Sequence, residues 1–297
     1  CIRDRLKTAP DRYRVYTVPK KEPGKTRLIA EPAPELKRLQ RWFAAEYLAR
    51  LPVHRAATAY RPGSSILRNA AAHRDAAFLL CLDFRDFFPS LRPRDLRQAI
   101  ARDGRLRFSR AELGAIDRLL FWRPTGIAGL SGLRLSAGAP SSPAVSNAVM
   151  IGLDEAIAGR CRRARVRYTR YADDLTFSAA GREPLLAMFA EIAALIRRTR
   201  APRLTLNEEK TRLASKSERR EVTGLTLTAD GGLSIGRERK AAIREQIARF
   251  RRGALPAPER RKLSGLLAFA AGIEPLFVDR LAAKHGADLI ARIRSGR

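Results

Sequence analysis

Cysteine is scarce in this sequence. Its three cysteines, Cys1, Cys81 and Cys161, are odd in number and far apart. A disulfide framework needs an even set, and a zinc site needs cysteines paired at short spacing, so neither can be built from these residues. Such low cysteine usage is typical of a protein in a reducing compartment, and we expect a cytoplasmic location.

Long hydrophobic runs are also lacking. The longest, AAFLLCLDF and SGLLAFAAGI, fall well short of the roughly 20 residues that span a bilayer, and no secretory leader opens the chain. We therefore expect no membrane partner. The chain opens on Cys1 rather than on methionine, and we expect that residues of the natural N-terminus precede it.

Acidic residues are few compared with basic ones. Asp and Glu total 30 against 59 Lys and Arg, the formal net charge is +29, and the excess runs along the whole chain. This distribution indicates a long polyanionic partner, of which nucleic acid is the first candidate. A compositional bias toward Arg and Ala is the alternative. The 297 residues are 45% hydrophobic, enough for one globular unit with subdomains.

The order of the predicted elements favours an α+β fold. RYRVYTVPKKEPGKTRLIAEP predicts a basic β-hairpin. PAPELKRLQRWFAAEYLARL predicts a helix with Leu36, Leu39, Trp42 or Phe43, and Tyr47 on one face. From Ala77 onward the patterns predict strand, helix, helix, strand, strand, helix and strand, which is a ferredoxin-like unit with an extra helix inserted.

The stretch RYTRYADDLTFSA places Asp173 and Asp174 side by side at the turn of a predicted hairpin. Aspartate is a good turn residue, but tight hairpins favour Asn-Gly or Asp-Gly, and a second aspartate adds repulsion. Asp83 ends the apolar strand FLLCLD, which in a ferredoxin-like sheet would lie beside this hairpin. Three converging carboxylates need a cation, and Mg²⁺ suits them where phosphates supply further ligands. In a basic protein, such a cluster indicates two-metal chemistry on polynucleotides.

Four ordered motifs, LDFRDFFPSL, GAPSSPAVSN, YADD and NEEKTRL, resemble those of a reverse transcriptase palm. NAAAH and VTG resemble the Asn-Ala-x-x-His and Val-Thr-Gly signatures of bacterial retron reverse transcriptases. The resemblance implies a right-hand polymerase with fingers, a ferredoxin-like palm and a helical thumb. It implies fingers at 1–76, a catalytic palm with inserted finger elements at 77–230 and a thumb at 231–297.

The resemblance also implies catalytic roles for individual residues. Asp83, Asp173 and Asp174 would be the catalytic and metal-binding triad, with the backbone carbonyl of Phe84 as a further ligand. The cofactor would be two Mg²⁺ ions, which Mn²⁺ could replace. Lys210 in NEEKTRL would be the general acid that protonates the pyrophosphate leaving group, and an ordinary surface lysine is the alternative.

Nucleotide-binding roles follow from the same resemblance. Lys20 and Arg27 would clamp the triphosphate, where fixed cations meet charge spread over phosphate oxygens. Phe88, five positions after Asp83, would block a 2′-hydroxyl and so select deoxynucleotides, and an ordinary core aromatic is the alternative.

One segment departs from the family pattern. The family usually has Leu-Pro-Gln-Gly before APSSP, whereas this chain reads LSAGAPSSP, with Ser136 and Ala137 in place of Pro and Gln. The glutamine contact with the nucleotide is therefore absent, while the backbone of Gly138 is retained and is expected to bind the nucleotide. We expect a pocket that persists with altered nucleotide affinity or fidelity.

Contacts with the RNA and the primer are implied for a further set of residues. These are Asn69, His73, Tyr171, Val222, Thr223 and Gly224. Apart from the resemblance, a histidine after an Ala-rich helix and a Thr-Gly pair at a strand end are ordinary structural features.

The expected function is that of a retron RNA-directed DNA polymerase. It would copy part of a cognate structured non-coding RNA into DNA and leave a branched RNA–DNA product used in anti-phage defence. The implied partners are that RNA as template and primer, its cDNA, dNTPs and a toxin-like effector protein. The alternatives are another bacterial reverse transcriptase, of the group II intron, diversity-generating or abortive-infection kind, and a catalytically silent RNA-binding scaffold.

Overall fold

The computed structural model of the protein describes residues 6–19, 24 and 26–295. The chain forms two compact units, the first comprising Cys1–Ser64 and Leu80–Arg212 and the second Ser65–Leu79 and Leu213–Arg297. The division into fingers, palm and thumb stays a prediction. Among the described helices, none has both the length and the apolar composition needed to cross a membrane.

Strands and helices alternate along most of the chain. The strands are β1 (Tyr13–Pro19), β2 (Thr26–Pro32), β3 (Phe78–Asp83), β4 (Arg167–Tyr171), β5 (Asp174–Ala179), β6 (Arg212–Ser215), β7 (Arg220–Val222), β8 (Leu225–Leu227) and β9 (Leu233–Ser234). The α-helices used below are α1 (Pro34–Glu46), α2 (Ile66–Ala71), α3 (Phe87–Ser90), α4 (Pro93–Asp103), α5 (Arg110–Leu120), α6 (Ser142–Arg163), α7 (Glu183–Arg198), α8 (Arg237–Arg251), α9 (Ala257–Ile273), α10 (Pro275–His285) and α11 (Ala287–Arg294). Short 3₁₀ turns cover Ala9–Asp11, Leu48–Arg50 and Glu208–Lys210.

A four-stranded sheet has the strand order β4–β5–β3–β6. In chain order these strands are the second, third, first and fourth of the unit that begins with β3, which is the arrangement of a ferredoxin-like sheet. β4 and β5 pair antiparallel, with Tyr171 opposite Asp174. The structure therefore confirms the predicted α+β class. Between β3 and β4 it contains α3 to α6 rather than the two predicted helices.

The buried face of α1 differs from the predicted one. Leu36 and Phe43 are buried, but Leu39 and Trp42 are 42% and 53% exposed. The third inward residue is Gln40, whose side-chain nitrogen donates to the Tyr13 hydroxyl and to a backbone carbonyl, each at 2.9 Å. Because these bonds compensate the buried amide nitrogen, the inward stripe of the helix can run through a polar residue. The prediction was therefore right for Leu36 and for Phe43, the second of its two alternatives, and wrong for Leu39.

The second unit combines a small sheet with a helical bundle. β7, β8 and β9 form an antiparallel meander, and α2 packs against it. Ser65 caps α2 by accepting a hydrogen bond from the backbone nitrogen of Arg68 at 3.1 Å, which satisfies one of the unpaired N–H groups of the first turn. Apolar residues of α8 to α11, including Ile243 and Leu267, form the core of the bundle.

Candidate active site

Three carboxylates converge where β3 ends and the β4–β5 hairpin turns. Asp83 is the last residue of β3, and Asp173 and Asp174 lie at the hairpin turn. One carboxylate oxygen of each residue lies within 4.8 Å of the others. Asp83 is buried, Asp173 is half-buried and Asp174 is exposed, so the cluster opens toward solvent. The structure thus brings together the aspartates that the sequence analysis expected to converge.

The turn that presents this pair has two residues, one of them in an uncommon backbone conformation. Tyr171 lies opposite Asp174, which leaves Ala172 and Asp173 as the two turn residues. Ala172 has a φ of +57°, in the left-handed region that residues other than glycine, asparagine and aspartate rarely adopt. Ala172 is therefore held in a backbone conformation that alanine does not favour by itself, so its surroundings must stabilise it.

Burial, followed by repulsion from neighbouring carboxylates, raises the pKa values of Asp173 and Asp174. Removal from water is the largest cause at Asp174, followed by repulsion from Asp173 and Asp83, and together they raise the pKa of Asp174 to about 7 although the residue is exposed. Burial and then the charge of Asp83 also raise the pKa of Asp173, against the opposing charges of Arg27 and Lys210. Crowded oxygen ligands that resist ionisation fit a hard divalent cation, which would neutralise them.

The raised pKa of Asp174 predicts a stability that depends on pH. Because the folded-state pKa lies above the ordinary value of 3.8, the ionised carboxylate costs stability, and this cost grows as pH rises from about 4 to about 7. In metal-free protein at pH 8, we expect Asp174→Asn to raise the Tm by about 2 °C, since solvent screening leaves roughly 1 kcal/mol of the repulsion. Thermal unfolding in EDTA measures this effect.

The gain from Asp174→Asn should nearly vanish at pH 4. Asp279→Asn, at an exposed position of the second unit, is the matched control and should shift the Tm little at either pH. An equal gain at both pH values would contradict the electrostatic account.

Backbone pairing brings Lys210 to Asp83. The backbone nitrogen of Asn207 donates to the carbonyl of Asp83 at 2.8 Å, and the chain then enters the 3₁₀ turn that ends at Lys210. The Lys210 Nζ lies 2.8 Å from Asp83 Oδ2. Phe84 lies opposite Leu206, and the two backbone bonds that flank this pair do not use the Phe84 carbonyl. The pairing therefore leaves that carbonyl available for the predicted metal-ligand role.

Several predicted nucleotide contacts belong to the same unit. Arg27 is exposed on β2, and its charge lowers the pKa of Asp173, so it acts electrostatically on the triad. Phe88 is half-buried in α3, with its ring edge against buried Phe87 at a centroid distance of 5.3 Å. Lys20 falls outside the described residues.

The loop that departs from the family pattern is bound to β2. The Ser136 hydroxyl donates to the carbonyl of Ala30 and accepts a bond from the backbone nitrogen of Gly138 at 3.0 Å. A Cβ added at Gly138 would lie 2.6 Å from the same Ala30 oxygen, so the approach of the two backbones requires glycine there. Ala137, between these two residues, is half-buried.

The residues predicted to contact RNA divide between the two units. Tyr171 is half-buried beside the triad in the first unit, and the others lie in the second. Asn69 and His73 are buried, 0% and 1% exposed. Thr223 and Gly224, at φ values of +48° and +79°, form the tight turn between β7 and β8 after Val222. The Thr223 hydroxyl donates to the Ile66 carbonyl at 3.4 Å, so the turn lies against the start of α2.

Sequence reasoning missed a group of buried polar residues behind the triad. Arg170 and Asp154 form an ion pair in which both side chains are 0% exposed, and Asn147 bonds to the same arginine. The available signal was the seven-residue spacing of Asn147 and Asp154 on either side of the nonpolar stretch AVMIGL, which places both on one face of the helix. Tyr60 was missed as well, and burial followed by the charge of Asp173 raises its pKa.

A family model for reverse transcriptase (RNA-dependent DNA polymerase) matches residues 18–227 of the chain. The retron Ec83 reverse transcriptase of Escherichia coli is 39% identical over 290 residues, which cover 97% of this chain and 92% of that protein. The retron Ec86 reverse transcriptase of Escherichia coli is 32% identical over 287 residues, covering 94% and 84% respectively.

Among solved structures, the chain is similar to telomerase from Candida albicans in complex with the TWJ fragment of telomeric RNA. The TM-score is 0.55 at 13% identity, and the match covers 94% of this chain and 54% of that chain. At this identity the likeness concerns the fold alone, and it agrees with the right-hand polymerase fold expected from the sequence.

Proposed function

The chain belongs to the reverse transcriptases, within them to the retron type, and is an RNA-directed DNA polymerase; from this premise, we propose that it copies part of a cognate structured non-coding RNA into DNA. The observation that carries the proposal is the cluster of Asp83, Asp173 and Asp174 in a strongly basic chain. The product would be a branched RNA–DNA molecule that acts in anti-phage defence with a toxin-like effector protein.

Divalent metal use follows from the family, and we assign two Mg²⁺ ions to the triad, with the Phe84 carbonyl as an additional ligand. The donors are all oxygens, burial and then mutual repulsion raise the pKa values of Asp173 and Asp174, and the cluster opens to solvent. When bound, the ions would activate the attacking hydroxyl and stabilise charge on the leaving group. Mn²⁺ fits the same oxygen ligands.

The remaining chemistry falls to side chains of the first unit. The primer hydroxyl gives up its proton to solvent as its oxygen forms a bond to the α-phosphorus of a dNTP, the bond from that phosphorus to the bridging oxygen breaks, and pyrophosphate leaves. Arg27 would bind the triphosphate, as would Lys20, which lies outside the described residues. Lys210 would leave Asp83 and donate its proton to the departing pyrophosphate.

Phe88 is proposed to exclude ribonucleotides, because its ring is only half-buried and remains partly accessible, whereas the ring of Phe87 is buried in the core. Phe88→Ala should open space for a 2′-hydroxyl and raise the ratio of rNTP to dNTP incorporation about tenfold, since steric rejection of a small group is worth about 1–3 kcal/mol. Single-nucleotide extension with matched dNTP and rNTP series measures the ratio.

Phe87→Leu is the matched control for Phe88→Ala. It alters the buried ring of the same helix and should reduce stability without changing sugar selectivity. If Phe88→Ala kept the wild-type ratio, Phe88 would have no gating role.

Recognition of the cognate RNA is proposed for the second unit as well as for Tyr171. The turn at Thr223 and Gly224 is partly exposed and lies against the α2 segment that continues to Asn69 and His73. Because Asn69 and His73 are buried, we propose that they support this turn and do not contact the RNA directly. Val222 anchors the same turn from the core.

Two assays test the proposed function. Purified protein should extend a primer on an RNA template with dNTPs and Mg²⁺, and nucleic acid recovered with it from its native host should contain one RNA joined to DNA through a 2′-linked branch. Extension without a branched species would favour another kind of bacterial reverse transcriptase. An absence of extension, with RNA still bound, would favour the silent scaffold.

A further inference from the structure

A fully buried arginine lies three residues before Asp173. Arg170 is on β4, and Asp154 on α6 is equally buried. The guanidinium donates through Nε to Asp154 Oδ1 at 2.9 Å and through Nη2 to Oδ2 at 2.7 Å. Such a forked pair fixes the orientation of a guanidinium as well as its position.

The same guanidinium bonds to the catalytic turn. Arg170 Nη1 donates to the carbonyl oxygen of Ala172 at 3.0 Å. This carbonyl belongs to the peptide group that joins Ala172 to Asp173. The bond therefore fixes the orientation of that peptide plane and with it the start of Asp173. Ala172 is the residue with a φ of +57°, and the bond stabilises a conformation that alanine rarely adopts.

Further side chains hold the arginine from α6 and β4. Arg170 Nη2 also donates to Asn147 Oδ1 at 3.2 Å, and Asn147 Nδ2 donates to the carbonyl of Ala59 at 3.0 Å. The Tyr168 hydroxyl donates to Asp154 Oδ1 at 2.8 Å. The guanidinium therefore has little room to move without breaking several buried hydrogen bonds.

The backbone of Arg170 is held as firmly as its side chain. Its nitrogen donates to the Ala56 carbonyl and its carbonyl accepts from the Thr58 nitrogen, both at 2.7 Å. Residue 57 accordingly forms a parallel bridge with Arg170 beside β4. Main-chain and side-chain bonds together make Arg170 a fixed point next to a strained turn.

An ion pair of this kind is a poor source of stability, because the cost of removing both charges from water offsets their attraction. An apolar pair of similar volume would attach β4 to α6 as well. What an apolar pair lacks is a donor aimed at the Ala172 carbonyl. The network therefore calls for an explanation other than cohesion of the core.

We propose that Arg170, held by Asp154 and Asn147, is a positioning residue that sets the peptide group ahead of Asp173 and thereby the direction in which Asp173 and Asp174 face a divalent cation. The inference rests on the proposed assignment of these aspartates as metal ligands. Arg170 acts through the turn alone, since its side chain is fully buried.

The test compares Arg170→Lys with Met188→Ala in the full chain. Lysine keeps the charge, but one ammonium cannot reproduce the planar fork that reaches Asp154 and Ala172 together. Met188 is buried in α7 and removing its side chain destabilises the same unit through a cavity. Mn²⁺ binding to metal-free protein, followed by electron paramagnetic resonance below both Tm values, reports the ligand geometry directly.

We expect Arg170→Lys to weaken Mn²⁺ binding about tenfold, as loss of a residue that orients metal ligands does. Its kcat should fall by a similar factor with the KM for dNTP little changed, whereas Met188→Ala should bind Mn²⁺ as the wild type does. Wild-type Mn²⁺ binding in Arg170→Lys, or equal weakening in both variants, would overturn the proposal.

A milder variant covers the case in which Arg170→Lys does not fold. Asn147→Ala leaves the ion pair intact and removes one hydrogen bond to the guanidinium, so about threefold weaker Mn²⁺ binding is expected. Unchanged binding would overturn the proposal. Because Mn²⁺ binding requires no DNA synthesis, a wild type that binds the ion but makes no DNA would refute the proposed function while these comparisons still decide the role of Arg170.

Discussion

Asp173→Asn should reduce DNA synthesis about 10³-fold, the scale of losing one preorganised electrostatic group at a reacting centre. The amide keeps the size of the carboxylate and the hydrogen-bonding capacity of the turn, but it removes the charge that would hold a divalent cation against the other two aspartates. Asp173 is half-buried and lies next to Asp83 and Asp174. The fold should survive, since the substitution also removes repulsion that raises the pKa of both turn carboxylates.

Single-turnover primer extension on an RNA template measures this loss, and a gel shift with the same template shows that RNA binding persists. Asp86→Asn is the matched control. Asp86 lies in the first unit with a φ of +46°, a conformation that asparagine tolerates, and Asp86→Asn should retain near wild-type synthesis. Undiminished extension by Asp173→Asn would remove the triad from catalysis.

Lys210→Met should slow the chemical step about 10²-fold while strengthening Mn²⁺ binding to the metal-free protein. The rate falls because general acid catalysis at the leaving group is lost. Binding strengthens because Lys210 Nζ, 2.8 Å from Asp83 Oδ2, occupies a carboxylate that a cation would use. A partly exposed ion pair is worth up to about 1 kcal/mol, so the gain in affinity should be at most about fivefold.

Lys210→Arg separates the two effects. Arginine keeps the positive charge near Asp83 but hardly gives up its proton, so Mn²⁺ affinity should stay close to that of the wild type while synthesis remains slow. Lys216→Met, at an exposed lysine six positions along the chain, controls for general loss of positive charge. Full activity in Lys210→Met would make Lys210 the surface lysine that its residue type alone suggests.

Much of the fold and of the candidate site was accessible from the sequence because local and periodic signals agreed. The period-two pattern on both sides of KKEPGK predicted the hairpin of β1 and β2, and an apolar run ending at Asp83 predicted the buried strand β3. Once the order of elements suggested a ferredoxin-like sheet, β3 had to lie beside the β4–β5 hairpin. That placement brought Asp83 to Asp173 and Asp174 without any knowledge of distances.

Other features depend on contacts that no local pattern encodes. α5 was missed although Ser109 and Glu112 form a capping box, because this short signal stood next to a Gly-rich stretch. The inward face of α1 passes through Gln40, whose burial depends on Tyr13 from another element. Arg170 occupies an ordinary strand position. Its burial is possible because Asp154 of α6 pairs with its charge, and no local sequence pattern shows that contact.

The bonds around Ser136 and Gly138 attach the loop to β2 without using the side chain at position 137. The Ser136 hydroxyl and the close approach at Gly138 tie the loop to the Ala30 carbonyl of β2, the strand that also carries Arg27. Ala137 contributes no side-chain hydrogen bond to this attachment, since alanine has no polar side-chain group. We therefore expect substitutions at position 137 to alter which nucleotide analogues are accepted, while the attachment of the loop to β2 is retained.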